Sequence, residues 1–364
     1  MNKKSNLIDP NRTRGRGASS NEVGRFEAFS SELSDDGWDS LSDLEPFKTE
    51  VRHEKSTAII TRNQSPDIPF DRSINPYRGC EHGCSYCYAR PTHSYWGLSP
   101  GLDFETKLMA RVNAAELLTA ELAKPSYLSK PISAIALGAN TDPYQPIERD
   151  YKITRQILEV LLKAKHPLTI VTKSALVLRD LDLLEELARE QLVQVALSIT
   201  TLDKTLARQM EPRASAPYLR LKALGELNKA GVPTMVMMAP MIPSLNDHEL
   251  EGIMEAVLER GCSHGSYVLL RLPHEIKELF REWLHREVPD RASRVISLVQ
   301  SMRGGQDYRA EFGSRMRGEG VFADLLAHRF KLAVKRLGFN QERVDLRTDL
   351  FIPPVPKGGQ MRLF

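Results

Sequence analysis

The sequence predicts an α/β fold: a partial (β/α)6 barrel followed by a C-terminal helical extension. Three observations predict it. Strand-like and helix-like segments alternate along residues 133–273. The strand segments are continuous apolar runs, the pattern of parallel strands covered by helices. Six such units are visible, too few to close an eight-fold barrel. No G-x-G-x-x-G follows the first strand, as a doubly wound nucleotide-binding sheet would suggest.

The first, weakest strand is "FDRSINPY" (residues 70–77), immediately before a cysteine cluster. "SAIALGAN" (133–140) is a short buried strand ending in Gly and Asn. "RDYKITRQILEVLLKAK" (149–165) has helical periodicity, and His166-Pro167 stops it. "LTIVTKS" (168–174) is β-branched and apolar, "RDLDLLEELARE" (179–190) is helical, and "VQVALSITT" (193–201) is a strand. "APYLRLKALGELNKAG" (216–231) is a helix with a C-terminal glycine. "VPTMVMMAPMIP" (232–243) opens with a strand. "NDHELEGIMEAVLERG" (246–261) is a helix that Asn246 or Asp247 could cap. "GSYVLLRLP" (265–273) is the last strand, and residues 275–337 read as helical and basic.

Composition sets outer bounds. The chain has 364 residues, 41% hydrophobic and 27% charged, with a formal net charge of +3. That charge is too small to announce nucleic-acid binding by itself. No apolar run approaches the ~18 residues of a membrane helix. The basic start lacks the apolar region of a secretory signal, and four unevenly placed cysteines make no disulfide framework. The expectation is a cytoplasmic, reduced protein. Residues 1–50, basic then acidic and serine-rich, are expected to be a mostly disordered tail. Residues 51–274 would form the core, 275–350 the helical extension, and 351–364 a flexible tail.

Three of the four cysteines lie in "RGCEHGCSYCYARP". Cys80, Cys84 and Cys87 are spaced C-x3-C-x2-C, with Gly79 and Gly83 letting the backbone turn tightly. Thiolates suit iron–sulfur clusters and zinc. A closed zinc site needs four ligands, which His82 or His93 could complete, so a zinc-binding interaction module is an alternative. A [4Fe–4S] cluster held by three thiolates would instead keep one iron free for another ligand.

"CEHGCSYC" resembles the C-x3-C-x-aromatic-C motif of the radical S-adenosylmethionine (radical SAM) enzymes, with Tyr86 as the aromatic. "NPYRGCEHGCSYCYAR", "TDPYQPIE", "VTKS", "LSITT" and "EPRA" resemble the spore photoproduct lyase-like branch, related to DNA repair. The resemblance implies a partial barrel of radical SAM type, a [4Fe–4S] cluster on Cys80, Cys84 and Cys87, and SAM as cofactors. It implies that the open iron chelates SAM and that an electron from the cluster yields a 5′-deoxyadenosyl radical. It also implies a reductant such as flavodoxin or ferredoxin. DNA is the expected substrate; a small molecule, a protein or RNA is the alternative.

Reactive sites in βα barrels lie at the carboxyl ends of the strands. The polar residues there are Asn140, Thr141 and Asp142, then Lys173 and Ser174, then Ser198 and Thr200; with Tyr86 they are the expected cofactor-binding set. By resemblance, Lys173 and Ser198 match positions that contact SAM. Arg213, Arg271 and Tyr144 are further candidates, with ion pairing or turn packing as the alternatives. In spore photoproduct lyase a further cysteine donates a hydrogen atom to the product radical. The only other cysteine here, Cys262, precedes the last strand and therefore falls at the amino end, as a packing residue. The chain finishes "FIPPVPKGGQMRLF". Gln360, Met361, Leu363 and Phe364 resemble the Q-L-x-L-F peptide that docks on the bacterial sliding clamp.

Overall fold

The computed structural model describes residue 8, residues 13–26 and residues 47–355. Ten strands form two sheets among them: β1 (Glu50–His53), β2 (Ile60–Arg62), β3 (Arg72–Ile74), β4 (Tyr77–Arg78), β5 (Lys107–Ala110), β6 (Ile135–Leu137), β7 (Leu168–Thr172), β8 (Val193–Ser198), β9 (Thr234–Met241) and β10 (Gly265–Leu269). The larger sheet has seven strands in the order β10-β9-β8-β7-β6-β3-β2. Strands β3 and β6–β10 are all parallel, and β2 pairs antiparallel with β3 at the edge. Neighbours follow chain order without a reversal, which is the winding of a βα barrel and not of a doubly wound sheet.

The strands sit where the apolar runs place them because both faces are covered. Val193, Val195, Leu197, Leu168 and Ile170 have no more than 0% exposure, packed with Ile157, Leu161, Leu184 and Leu187 from the covering helices. Each such side chain contributes about 1.5–3 kcal/mol by leaving water. Truncating one, Leu197→Ala for example, would cost about 2–5 kcal/mol.

The helix expected over 149–165 is two pieces, Glu148–Tyr151 and Ile153–Lys163, separated by Lys152 at φ 51°. The break lets Glu148 turn inward, fully buried, to accept from Tyr77 Oη and pair with Arg179 at 2.6 Å. Asn246 does not cap the helix Leu250–Leu258. Instead its amide accepts from Ile242 N–H (2.6 Å) and donates to the carbonyls of Thr200 (2.8 Å) and Pro240 (3.0 Å). It thereby ties the carboxyl ends of β8 and β9 together, a stronger demand on a fully buried amide than one cap bond.

The smaller sheet, ordered β1-β5-β4, was not foreseen; its strands are too short and mixed to show a period. Residues 13–26, expected within a disordered tail, instead pack against the domain, with Ser20 fully buried. Their small residues lose little side-chain entropy on ordering, and their backbone meets partners far along the chain. Residue 8 and residues 47–50 are also described, Glu50 opening β1; residues 1–7, 9–12 and 27–46 lie outside the described residues.

The extension supplies helices Ile276–Glu287, Pro289–Ser301 and Val321–Leu337. The first two share a second apolar core with Cys84, Tyr86, Leu206 and Met210, through Phe280, Trp283 and Val295. Trp283 Nε1 also donates to the Gln209 carbonyl at 2.9 Å. The chain then crosses the opposite, amino-terminal end. Arg347 N–H donates to Gln191 O (3.0 Å) and Ile352 N–H to Ala164 O (2.8 Å), while Phe351 packs on His166. No helix among the described residues is long and apolar enough to cross a membrane.

Candidate functional site

The cysteine loop leaves β4 through Gly79, at φ 73°, and turns again at Gly83, at φ 66°. Both turns are also crowded. A Cβ on Gly79 would sit 2.6 Å from Leu108 Cδ2, and one on Gly83 would sit 2.6 Å from Glu105 Oε2. Cys80 N–H donates to Phe104 O (2.9 Å) and Ser85 N–H to Met210 O (3.0 Å). Gln145 clamps the first turn, accepting from Glu81 N–H (2.9 Å) and donating to Gly79 O (3.1 Å). Arg90 clamps the second part, its Nε donating to Cys84 O at 3.0 Å while its Nη2 pairs with the buried Glu105.

All three thiols of the loop are free; Cys80 and Cys84 are buried and Cys87 is half-buried. Burial pushes the Cys80 thiol well up, and the charges of Asp142, Cys84 and Cys87 push the same way. Burial likewise pushes Cys84 up to about 12, with Glu211 adding and Lys173 opposing. Three thiolates so placed are stable only around a strongly positive centre. The donor set fits an iron–sulfur cluster better than a closed zinc site. His82 is engaged with Asp142 (3.3 Å), and His93 Nε2 bonds the Lys107 carbonyl (3.0 Å). Each histidine has one ring nitrogen committed in this way, and no group of three His, Cys, Asp or Glu side chains, whether or not it includes either of them, is gathered tightly enough for one ion among the described residues. The Ser85 hydroxyl, inside the loop and buried, has no partner among the described residues, which fits a group contributed from outside the chain.

Tyr86, Lys173 and Thr200 come together beside Cys84. Tyr86 Oη and Thr200 Oγ1 (2.6 Å) both donate to Glu211, which also pairs with the buried Arg220. Lys173 Nζ stands 5.7 Å from the Tyr86 ring centre and makes no hydrogen bond among the described residues. Burial lowers its pKa, but Cys84 and Glu211 more than compensate, so the ammonium stays charged. Burial tends to raise the Glu211 pKa, yet Arg220, Lys173 and the two hydroxyls bring it down to about 2.

The remaining candidates are engaged in holding the strand ends. Asp142 accepts from Thr172 Oγ1 (2.7 Å), Lys173 N–H (2.7 Å) and Tyr144 N–H (2.9 Å), besides His82. Against the upward push of burial, His82 and these donors keep it at about 2. Thr141 Oγ1 donates to Tyr77 O (2.9 Å), and Asn140 N–H to Asn75 Oδ1 (2.9 Å). Ser174 accepts from Leu176 N–H (3.2 Å) as a helix cap, and Ser198 Oγ donates to Ala239 O (3.3 Å). Arg213 pairs with Glu81 at 3.2 Å, Arg271 lies over the Tyr88 ring at 4.3 Å, and Tyr144 is fully buried in the core. Cys262 is also in the core, 1% exposed, its thiol directed to the His264 carbonyl at 3.4 Å. Gln360, Met361, Leu363 and Phe364 lie outside the described residues.

Glu211, Arg220, Gln145 and Asn75 escaped sequence reasoning. Glu211 is within reach of the sequence, since it opens the "EPRA" stretch. Nothing local ties it to Arg220, which lies on the helix Pro217–Lys229 and reads there as a surface residue. Two concavities elsewhere, lined by Arg62 to Ser133 residues at the β2–β3 edge and by Asp203, His248, Glu249 and Asp290, include no residue of the cysteine loop.

The model of the radical SAM superfamily matches residues 74–257. An uncharacterized protein of Mycobacterium tuberculosis (strain H37Rv) is 37% identical over 235 residues, 64% of this chain and 68% of that protein. An uncharacterized protein of Methanocaldococcus jannaschii is 32% identical over 207 residues, 56% of this chain and 71% of that protein. Among solved structures, a spore photoproduct lyase variant with bound AdoMet and dinucleoside spore photoproduct superposes with a TM-score of 0.60. The match covers 79% of this chain and 78% of that one at 17% identity, so it establishes a shared fold. The chain belongs to the radical SAM superfamily and is an enzyme whose cofactors are a [4Fe–4S] cluster and S-adenosylmethionine.

Proposed function

We propose that Cys80, Cys84 and Cys87 bind three irons of the cluster, that Tyr86, Lys173 and Thr200 lie along the SAM site, and that the substrate is DNA, in repair. Bound together, cluster and SAM supply a 5′-deoxyadenosyl radical, with electrons from a reductant such as flavodoxin or ferredoxin. The chain's own residues orient and shield. The uncommitted Lys173 ammonium is suited to the SAM carboxylate. Glu211 fixes the Tyr86 ring, and Asp142 joins the ends of β6 and β7 to the cysteine loop through His82. The substrate's hydrogen donor is not Cys262 in this reading, because that thiol lies at the amino end of the strands.

One observation carries the nucleic-acid reading. The segment directly after Cys87 exposes three aromatics, Tyr88 (44%), Tyr95 (67%) and Trp96 (44%). Each carries a guanidinium over its face: Arg271 at 4.3 Å, Arg25 at 5.9 Å and Arg78 at 4.3 Å. Arg25 pairs with Glu275 and Arg78 with Glu54, and Tyr95 also stacks on Phe26, so Tyr88 with Arg271 is the open ring-and-cation pair of the kind on which bases stack and phosphates bind. Arg271 makes no hydrogen bond among the described residues, so its N–H edge is available to phosphate. The terminal Gln360, Met361, Leu363 and Phe364 would add docking on a bacterial sliding clamp. The chain passes the amino-terminal end of the parallel strands at Phe351, opposite the cysteine loop, so such docking would leave the site open.

The test is anaerobic incubation with SAM and reductant, with and without ultraviolet-damaged DNA. The expected outcome is 5′-deoxyadenosine whose yield rises with DNA, accompanied by altered bases. Cleavage of SAM that ignores DNA would move the substrate to a small molecule, a protein or RNA. Loss of clamp binding on deleting residues 360–364, measured by titration, checks the tail; unchanged binding removes its role.

A further inference from the structure

Residues 13–26 do more than cover surface. Gly17 N–H (3.0 Å) and Ala18 N–H (2.9 Å) donate to the two oxygens of Glu105, which is fully buried. Glu105 is also the partner of Arg90, and Arg90 holds the Cys84 carbonyl. A short relay therefore runs from the backbone of this segment to a cysteine of the loop. A second contact is direct: a Cβ on Gly17 would lie 1.6 Å from the Gly83 carbonyl oxygen, between Cys80 and Cys84. On its other side the segment is tied to the helix Ile276–Glu287. Arg286 donates to Gly17 O (3.2 Å), and Ser20 Oγ donates to Glu282 (2.7 Å). Arg16 fastens the start, donating to the carbonyls of Glu105 (3.1 Å) and Phe47 (3.0 Å).

We infer that residues 13–26 are a strap that positions the cysteine loop, with Gly17 the positioning residue, and that the loop keeps its cluster-holding geometry only while the strap is seated. The inference rests on the assignment of Cys80, Cys84 and Cys87 as ligands. The strap offers no ligand itself. It presents two N–H groups and a bare Cα, which is what a glycine-alanine step can bring to a carboxylate and a carbonyl at this separation. Any side chain at Gly17 must lift the strap off Gly83, since both atoms in the clash belong to backbone or begin at it.

The experiment compares full-length wild type, Gly17→Val, and Val23→Ala as a control at an exposed strap position, each reconstituted anaerobically with iron and sulfide. Glu105→Gln is a second probe of the same relay. Three quantities are read: trypsin cleavage after Arg16, the electron paramagnetic resonance spectrum of the reduced cluster, and its bleaching rate in air. In Gly17→Val, cleavage after Arg16 and bleaching should each become at least about tenfold faster, the factor one lost charge-assisted hydrogen bond gives. The spectrum should change, while Val23→Ala matches wild type and cluster-free Gly17→Val unfolds thermally together with wild type; Glu105→Gln, which leaves the buried Arg90 without its anion, is read by spectrum and bleaching only. Arg16 equally protected in Gly17→Val overturns the close contact. A cleavable strap with unchanged spectrum and bleaching overturns the positioning role. Wild type that takes up no iron and sulfide overturns the ligand assignment and this role with it; a cluster equally durable in all variants overturns the strap alone.

Discussion

Glu211→Gln tests the charge balance of the site. The substitution keeps the side chain's shape and removes its charge. Arg220, 2% exposed, then loses its anionic partner, and Lys173 loses one of the three groups, Cys84, Glu211 and Asp142, that sustain its charge. Tyr86 Oη and Thr200 Oγ1 both donate to the same side chain, and a glutamine can accept both bonds only by turning its NH2 toward Arg220. Leaving a buried cation uncompensated costs about 3–5 kcal/mol. With an unfolding entropy of about 2.1 cal/mol/K per residue over a chain this long, that is a fall in Tm of about 5 °C. The assay is thermal unfolding of cluster-free protein followed by circular dichroism. Arg220→Met added to Glu211→Gln should recover about 2 kcal/mol of the loss, because the stranded cation is gone. A single variant within about 0.5 kcal/mol of wild type, or a double variant that shows simple additivity, would refute the claim that these two charges depend on each other.

Further outcomes are expected. Cys84→Ala should abolish the iron–sulfur absorbance and SAM cleavage, while Cys262→Ala keeps both and costs about 1 kcal/mol for a small core truncation; reversed behaviour would contradict their placement. His166, fully buried, accepts from Tyr127 Oη at 2.6 Å, and burial with the help of Arg72 lowers its pKa to about 4. Its folded pKa is depressed, so the unfolded chain binds the extra proton; stability is complete above the unfolded pKa of about 6.5 and falls by about 3 kcal/mol as pH drops toward 4. Denaturant titration across that window should show a steeper fall in wild type than in His166→Asn, and parallel curves would refute it. Arg271→Ala should weaken DNA binding and reduce the slope of log affinity against log salt by about 1; an unchanged slope would remove Arg271 from the phosphate contacts.

Particular residues show what could be read in advance and what could not. The six parallel strands were legible because burial on both faces forces continuous apolar runs, and the runs at 168–174 and 193–201 enclose β7 and β8 with little to spare. Asn246 was legible as a polar residue before a helix, but its three backbone partners lie at or just beyond the carboxyl ends of β8 and β9, and only folding brings them to it. Asp142, Thr141 and Ser198 were legible as polar groups at strand ends. Whether such a group faces a cofactor or a neighbouring backbone depends on which chains arrive beside it.

The amino-acid sequence by itself determined the chemistry available, three thiols within one tight loop, and the winding that carries that loop to the carboxyl ends of the strands. Both follow from short-range regularities, covalent spacing and the period of apolar residues. The tertiary structure alone decided how the loop is held. Glu211 with Arg220, Asp142 with His82, and Gly17 with Glu105 are pairings of buried charges or dipoles, and a buried charge is tolerable only beside a partner. Sequence distance does not reveal that partner, since in the last case it stands 88 residues away.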